Sequence, residues 1–271
     1  MSTQEAAPAP LMVDSHAHIW RRGMPLLANP RHQLDYDFTI DEYQAILAAH
    51  GVDYAVIAAA SPFGDYNDYT LESIRGRARL RGTVILEPTV DRYTLAAMKD
   101  DGIVGVRLPY ISMAELPDLS SFENRRTLRR FADLNWHVHL HLDGPRIPQV
   151  LPHLEQAGLN IVVDHFGRPD PAQGIACAGF QTLLRSIEKG RTWVKVSAAY
   201  RLGLARAEQY GRELLKQVGP DRLLWASDCP FAGFEGKLTY RETIDAVLAW
   251  VPEGPARDKI FGANAMKLYF A

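Results

Sequence analysis

Short apolar runs rich in β-branched residues alternate with longer amphipathic segments along almost the whole chain. The runs fall at 11–14, 54–59, 81–86, 104–108, 138–142, 161–164, 193–197 and 223–227. Segments with helical spacing lie between them, at 40–50, 69–79, 93–100, 122–134, 147–156, 179–189, 209–218 and 240–251, and a last one at 257–269 closes the chain. Strands this apolar are buried on both faces, as parallel strands are when helices cross over between them. Eight such units in 271 residues predict an α/β fold, a single-domain (β/α)8 TIM barrel over residues 11–271. A doubly wound open sheet is the competing architecture. It loses ground because no Gly-rich fingerprint follows the first run. Residues 1–10, MSTQEAAPAP, read as a disordered lead, without the basic and apolar regions of a signal peptide.

The charge pattern narrows the partners. A formal charge of −2 and scattered basic residues give no footprint for nucleic acid or a membrane. The paired arginines of FENRRTLRRFADL sit at helical spacing and read as a solvated helix face. Cys177 and Cys229 have no paired spacing, so a disulfide framework is not expected and a reducing, cytoplasmic setting is. What remains is a small-molecule ligand, with the oligomeric state open.

Barrel enzymes carry their sites at the C-terminal ends of the strands, so the residues ending each run matter most. The first reads VDSHAHIW, and strict alternation would put Asp14, His16 and His18 on one face. Burying a carboxylate with two imidazoles is costly unless something binds them. Further along come Glu87, Arg107 in GVRLPY, and His137, His139 and His141 alternating in HVHLHLD. DHFGRP adds His165 and Arg168; WVKVSAAYR adds Lys195, Ser197, Tyr200 and Arg201; ASDCPF adds Ser227 and Asp228. Each has a structural reading as well. His137 and His139 can bond locally, and His32, His50 and His153 sit in surface or helix contexts. Glu87 can simply close its strand, Lys195 can be a paired wall residue, and Ser227 a turn residue. Cys229 reads as a small core group with nothing to make it a thiolate. The loop PFGDYNDY, 62–69, follows the second run and is expected at the mouth of the site.

The pieces VDSHAHIW, GVRLPY, VVDHFGRPD, WVKVSAAYR, LLWASDCPF and IFGANAMKLYF occur in one order over nearly the whole chain. Together they resemble the amidohydrolase superfamily and, within it, the amidohydrolase-related (amidohydrolase 2) branch of lactonases, including the 2-pyrone-4,6-dicarboxylate lactonases. The resemblance implies a hydrolase that opens a small carboxylated lactone in aromatic or sugar-acid catabolism. It makes Asp228 the group that activates water, with His16, His18 and His165 lining the reaction centre. It assigns substrate carboxylates to Arg107, Arg168 and Arg201, and a hydroxyl contact to Tyr36. Two departures stand out. Met113 occupies the place of a second clamping arginine, which weakens the expectation of a dicarboxylate. His141 stands where the dicarboxylate enzymes have a tyrosine, and adds an imidazole to the substrate-binding or metal-binding set.

Two chemistries suit these parts. In one, Zn²⁺ or Mn²⁺ sits on His16, His18, His165 and Asp228, with His141 as a further candidate, and acidifies a bound water. In the other there is no metal, and the histidines and arginines donate hydrogen bonds to the ester while Asp228 takes the proton. A metal-dependent decarboxylase or a sugar-acid lactone hydrolase or isomerase on the same barrel is the alternative activity. A non-catalytic barrel is disfavoured by the intact polar set.

Overall fold

Eight strands run parallel in a single sheet whose spatial order follows the chain: β1 (Val13–Ala17), β2 (Tyr54–Ile57), β3 (Leu80–Val84), β4 (Ile103–Leu108), β5 (His137–Leu140), β6 (Asn160–Val163), β7 (Thr192–Val196) and β8 (Leu223–Trp225). The computed structural model describes residues 10–271, so the lead expected at 1–10 lies, apart from Pro10, outside the described residues. The sheet closes where β8 returns to β1. Ala17 bridges Cys229 in parallel, His18 N donates to Cys229 O at 2.8 Å, and Asp228 N donates to His16 O at 2.9 Å. Sequential order and closure exclude the open doubly wound sheet. They also bring the ends of the first and last strands together, some 210 residues apart in the chain.

The crossovers form an outer layer: α1 (Ile40–Ala49), α2 (Asp68–Ile74), α3 (Arg92–Asp100), α4 (Phe122–Asp133), α5 (Ile147–Gln156), α6 (Ala178–Glu188), α7 (Ala199–Leu202), α8 (Leu204–Val218) and α9 (Tyr240–Leu248). Local chemistry sets their starts. Thr39 with Glu42 and Thr239 with Glu242 form capping boxes on α1 and α9, and Ser121 caps α4. α2 stops at Ile74, short of the expected 79, because Gly76 adopts φ +73° and turns the chain toward β3. After α10 (Pro255–Asp258) the last residues wind through wider helical turns beneath the barrel. Gly262 is required there, since a Cβ would meet Leu11 O at 1.8 Å. Tyr269 then plugs the lower end against Val13, Val56, Val162, Trp193 and Leu224.

One expectation about β1 fails. Its pairing with β2 slips between Asp14 and Ala17, so simple alternation does not hold. Asp14 faces the helix layer, where it accepts from Tyr43 Oη at 2.7 Å, Tyr240 Oη at 2.8 Å and Ser227 N at 2.9 Å. It ties β8 to β1 from behind and does not join the imidazoles. Ser227, read as a turn residue, is its partner in that tie.

Above the strands, the long β1–α1 connection folds over the open end. Trp20 and Phe38 pair in a short antiparallel bridge, and Trp20 is buried with Leu34, Phe63 and Ala232. Among the described residues no helix is long and apolar enough to cross a membrane.

Candidate active site

Asp228 lies at the tip of β8 with its two carboxylate oxygens facing different surroundings. Oδ2 is occupied by Tyr200 Oη at 2.6 Å and Arg201 Nε at 2.8 Å. Oδ1 faces the Nε2 atoms of His16, His18 and His165 at 3.6, 3.6 and 3.7 Å. Burial alone would raise the Asp228 pKa, but His165, Arg201, His18 and His16 outweigh it and hold the carboxyl well below its usual range. His165 and His16 shift the same way for the opposite reason. Burial disfavours their charged forms, taking His165 down to about 3 and His16 well below its ordinary value, the latter helped by Lys195. At neutral pH Asp228 is therefore a carboxylate facing neutral His16 and His165.

The backbone is strained where it presents these groups. Of the seven non-glycine residues with positive φ among the described residues, six are His165, Phe166, Arg168, Ala198, Asp228 and Phe231, all just beyond β6, β7 and β8. Each such conformation costs on the order of 1–3 kcal/mol and persists where packing over-determines it, commonly at functional sites.

Beneath the centre lies a fully buried ionic layer. Lys195 Nζ pairs with Asp164 Oδ1 at 3.0 Å and reaches His16 Nδ1 at 2.8 Å and His139 Nδ1 at 2.9 Å. Burial lowers the Lys195 pKa to about 8, with Asp164 opposing the fall. Arg107 donates from Nε to Asp164 Oδ2 at 3.2 Å, from Nη1 to Ala59 O at 2.9 Å, and from Nη2 to His141 Nδ1 at 3.1 Å. Arginine only donates, so His141 Nδ1 accepts and its proton sits on Nε2. That Nε2 is buried, without a partner, on the wall of the pocket. A donor left so is a place for a ligand acceptor.

Asp228, His18, His165, His141, Arg107 and Arg201 line one pocket, with His16 immediately behind. Two expected substrate contacts are not on its wall. Arg168 donates to Asp143 Oδ1 at 3.0 Å and lines an adjoining cleft, and Tyr36 gives its hydroxyl to Glu235 at 3.0 Å on the rim. Glu87 and Met113 are exposed and also lie off that wall. Pro62 reaches the pocket from the predicted mouth loop, whereas Tyr69 turns inward to accept from Ile40 N at 3.0 Å. His137 bonds locally to Val104 O at 2.9 Å, and the Cys229 thiol is pushed well up by burial. His32, expected at the surface or in a structural role, lines the pocket instead.

Asp164, Trp20 and Arg31 belong to the site without having been anticipated. Asp164 had a signal, an acid at a strand end immediately before His165. Trp20 and Arg31 had none, because an irregular loop has no period to read.

The centre's atoms can be satisfied in two ways. As a metal site, His16 Nε2, His18 Nε2 and Asp228 Oδ1 group together, with edges of 3.1, 3.6 and 3.6 Å. A tetrahedral zinc with bonds near 2.0–2.1 Å has edges of roughly 3.3–3.4 Å, so the spacing fits. His18 is already oriented for it, because Nδ1–H donates to Ala58 O at 2.7 Å and frees the Nε2 lone pair. As a hydrogen-bond chain, Lys195 donates to His16 Nδ1, His16 Nε2–H donates to His18 Nε2, and His18 donates to Ala58 O. The difference is the position of the His16 proton: on Nε2 in the hydrogen-bond chain, and on Nδ1, where Asp164 Oδ1 lies at 3.4 Å, in the metal site.

The model of the amidohydrolase family matches residues 13–271. The 4-sulfomuconolactone hydrolase of Hydrogenophaga intermedia is 26% identical over 273 residues, covering 94% of this chain and 88% of its own. A crystal structure from Acinetobacter baumannii, described as a probable 2-pyrone-4,6-dicarboxylic acid hydrolase with citric acid bound, superposes with a TM-score of 0.90. It is 30% identical and covers 95% of this chain and 98% of its own. A Pseudomonas putida protein provisionally assigned the same activity gives a TM-score of 0.88 at 35% identity, covering 96% and 97%.

Proposed function

This chain belongs to the amidohydrolase family, and we propose that it is a lactonase that hydrolyses a small carboxylated cyclic ester, with Asp228 activating the attacking water. The observation that carries this reading is the split environment of Asp228. Oδ2 is anchored by Tyr200 and Arg201, while Oδ1 is open toward the imidazoles of His16, His18 and His165. A water donating to Oδ1 would be oriented as a nucleophile and deprotonated as it attacks the carbonyl. The proton held by Asp228 then passes to the ring oxygen as the C–O bond breaks.

His141 Nε2–H supports the reading as a donor for a substrate oxygen, and Arg201 and Arg107 supply fixed positive charge beside it. A divalent zinc or manganese ion held by His16, His18 and Asp228, with His165 alongside, would supply Lewis acidity toward the carbonyl. A carboxylate acting through one oriented water, with hydrogen-bond donors on the carbonyl, is modest machinery. That suits an enol or aryl ester, whose leaving group is good, better than an amide. The lactone hydrolases among the relatives fit the same substrate class.

The experiment is a hydrolysis screen on mono- and dicarboxylated pyrones, muconolactones and aldonolactones, with zinc and manganese content measured before and after chelation. Ring opening with acid release is expected for a carboxylated lactone. Release of carbon dioxide, or a product of unchanged mass, would replace hydrolysis by decarboxylation or isomerisation. Full activity with no bound metal selects the hydrogen-bonded form of the centre.

A further inference from the structure

The guanidinium groups of this site are not equally free. Arg107 spends Nε, Nη1 and Nη2 on Asp164, Ala59 O and His141. Arg201 spends Nε on Asp228 and Nη2 on Ala232 O at 2.9 Å. Arg168 gives Nε to Asp143 and keeps a buried Nη1 without a partner, but it lines the adjoining cleft and not the pocket of Asp228. Arg31 lines the same pocket as Asp228 and His141, yet among the described residues it has no hydrogen-bond or ion-pair partner. We propose that Arg31 is a second carboxylate anchor of the site, the residue that makes a lactone with two carboxylates a better substrate than one with a single carboxylate.

The charge balance favours this. The acids of the pocket and its floor are already matched: Asp228 to Arg201, and Asp164 to Lys195 and Arg107. Arg31 is an exposed residue by overall surface, but its guanidinium feels burial first and then the like charges of Arg168, Arg201 and Arg107, with Asp143 as the opposing neighbour. A cation in that company is destabilised until an anion arrives, and a carboxylate can meet its planar fork with two parallel bonds.

The segment that carries Arg31 is pinned on both sides. Trp20 N and Phe38 N each donate to the other's carbonyl, at 2.9 and 3.0 Å. Leu34 is buried in the Trp20–Phe63 cluster, and the His32 ring packs so closely over Gly233 that a Cβ there would lie 3.1 Å from it. Arg31 is thus presented by an anchored loop, which reduces the ordering cost of binding.

The proposal rests on the lactonase reading, so its test has an arm that needs no turnover. Steady-state kinetics of Arg31→Met would be compared with wild type on 2-pyrone-4,6-dicarboxylate and on its monocarboxylated counterpart. KM for the diacid should rise about 10- to 100-fold, the worth of one charge-assisted pair, while KM for the monoacid and both kcat values stay within about threefold. Arg31→Lys should recover only part of the loss, because the charge returns without the fork. In parallel, calorimetry with citrate as a tricarboxylate probe should show about tenfold or greater weakening in Arg31→Met at unchanged melting temperature.

Equal losses on diacid and monoacid would make Arg31 a general field effect and overturn the proposal. So would unchanged citrate affinity, or a wild-type protein that binds no polycarboxylate. If wild type opens none of the lactones but loses citrate on Arg31→Met, the lactonase reading fails and the anchor stands.

Discussion

Near the lower end of β5, His137 bonds to Val104 O at 2.9 Å and its ring meets Tyr269 edge-on at 5.3 Å. Just past the upper end of the same strand, His141 takes a hydrogen bond from Arg107, and its remaining nitrogen opens on the pocket. Both are buried, and burial lowers the pKa of both. They differ in what stands beside them. A carbonyl fixes a proton on His137 Nδ1 and spends it on the wall. A guanidinium fixes the proton of His141 on the far nitrogen and leaves it for a ligand. Halfway between them, His139 is held by Lys195, which also holds His16. The two ends also differ in backbone: the lower is closed by apolar packing around Tyr269, while the upper carries six of the seven non-glycine residues with positive φ among the described residues. One residue type on one face of one strand thus becomes structural or site-forming according to its hydrogen-bond partner.

The sharpest way to break this contrast is at the upper end. Asp228→Asn should lower kcat by about 10²- to 10⁴-fold with little change in melting temperature, measured on whichever lactone the screen identifies. A rate near wild type would mean that another group activates the water.

Lys195→Met probes the layer between the ends. It removes the cation that pairs with Asp164 and bonds two histidines. A loss of about 3–5 kcal/mol in denaturant unfolding is expected from a buried charge left partly unpaired. A smaller loss would mean that Arg107 alone suffices for Asp164.

The smallest effect belongs to the lower end. Burial depresses the His137 pKa to about 4, so between pH 6.5 and 4 the folded state holds fewer protons than the unfolded chain. Its contribution to stability is present above pH 6.5 and is lost as the pH falls toward 4. His137→Gln should therefore flatten the fall in melting temperature across that window while leaving kcat in place. A changed kcat would show that the lower end reaches the site.

Much of the architecture was legible because periodicity is local. All eight strands lie where the apolar runs were read, since a strand buried on both faces leaves a continuous signal. Asp228, His16, His18 and His165 were picked out as polar tips on such strands. Asp14 was misplaced because a slip in the β1–β2 register, not its position in the run, decides its face. Arg31 escaped notice because no repeat marks a loop residue, and the one acid at a strand end that passed unread, Asp164, was hidden by the histidine after it.

By itself the chain determined its barrel and the residue types gathered at the strand ends, since hydrophobic period and strand length are written residue by residue. Only the tertiary structure decided which nitrogen of each histidine is free, which arginine is unpaired and which carboxylate oxygen is open. Those properties belong to pairs such as Lys195 with His16, or Tyr200 with Asp228, whose members are far apart in the chain and meet only when the barrel closes.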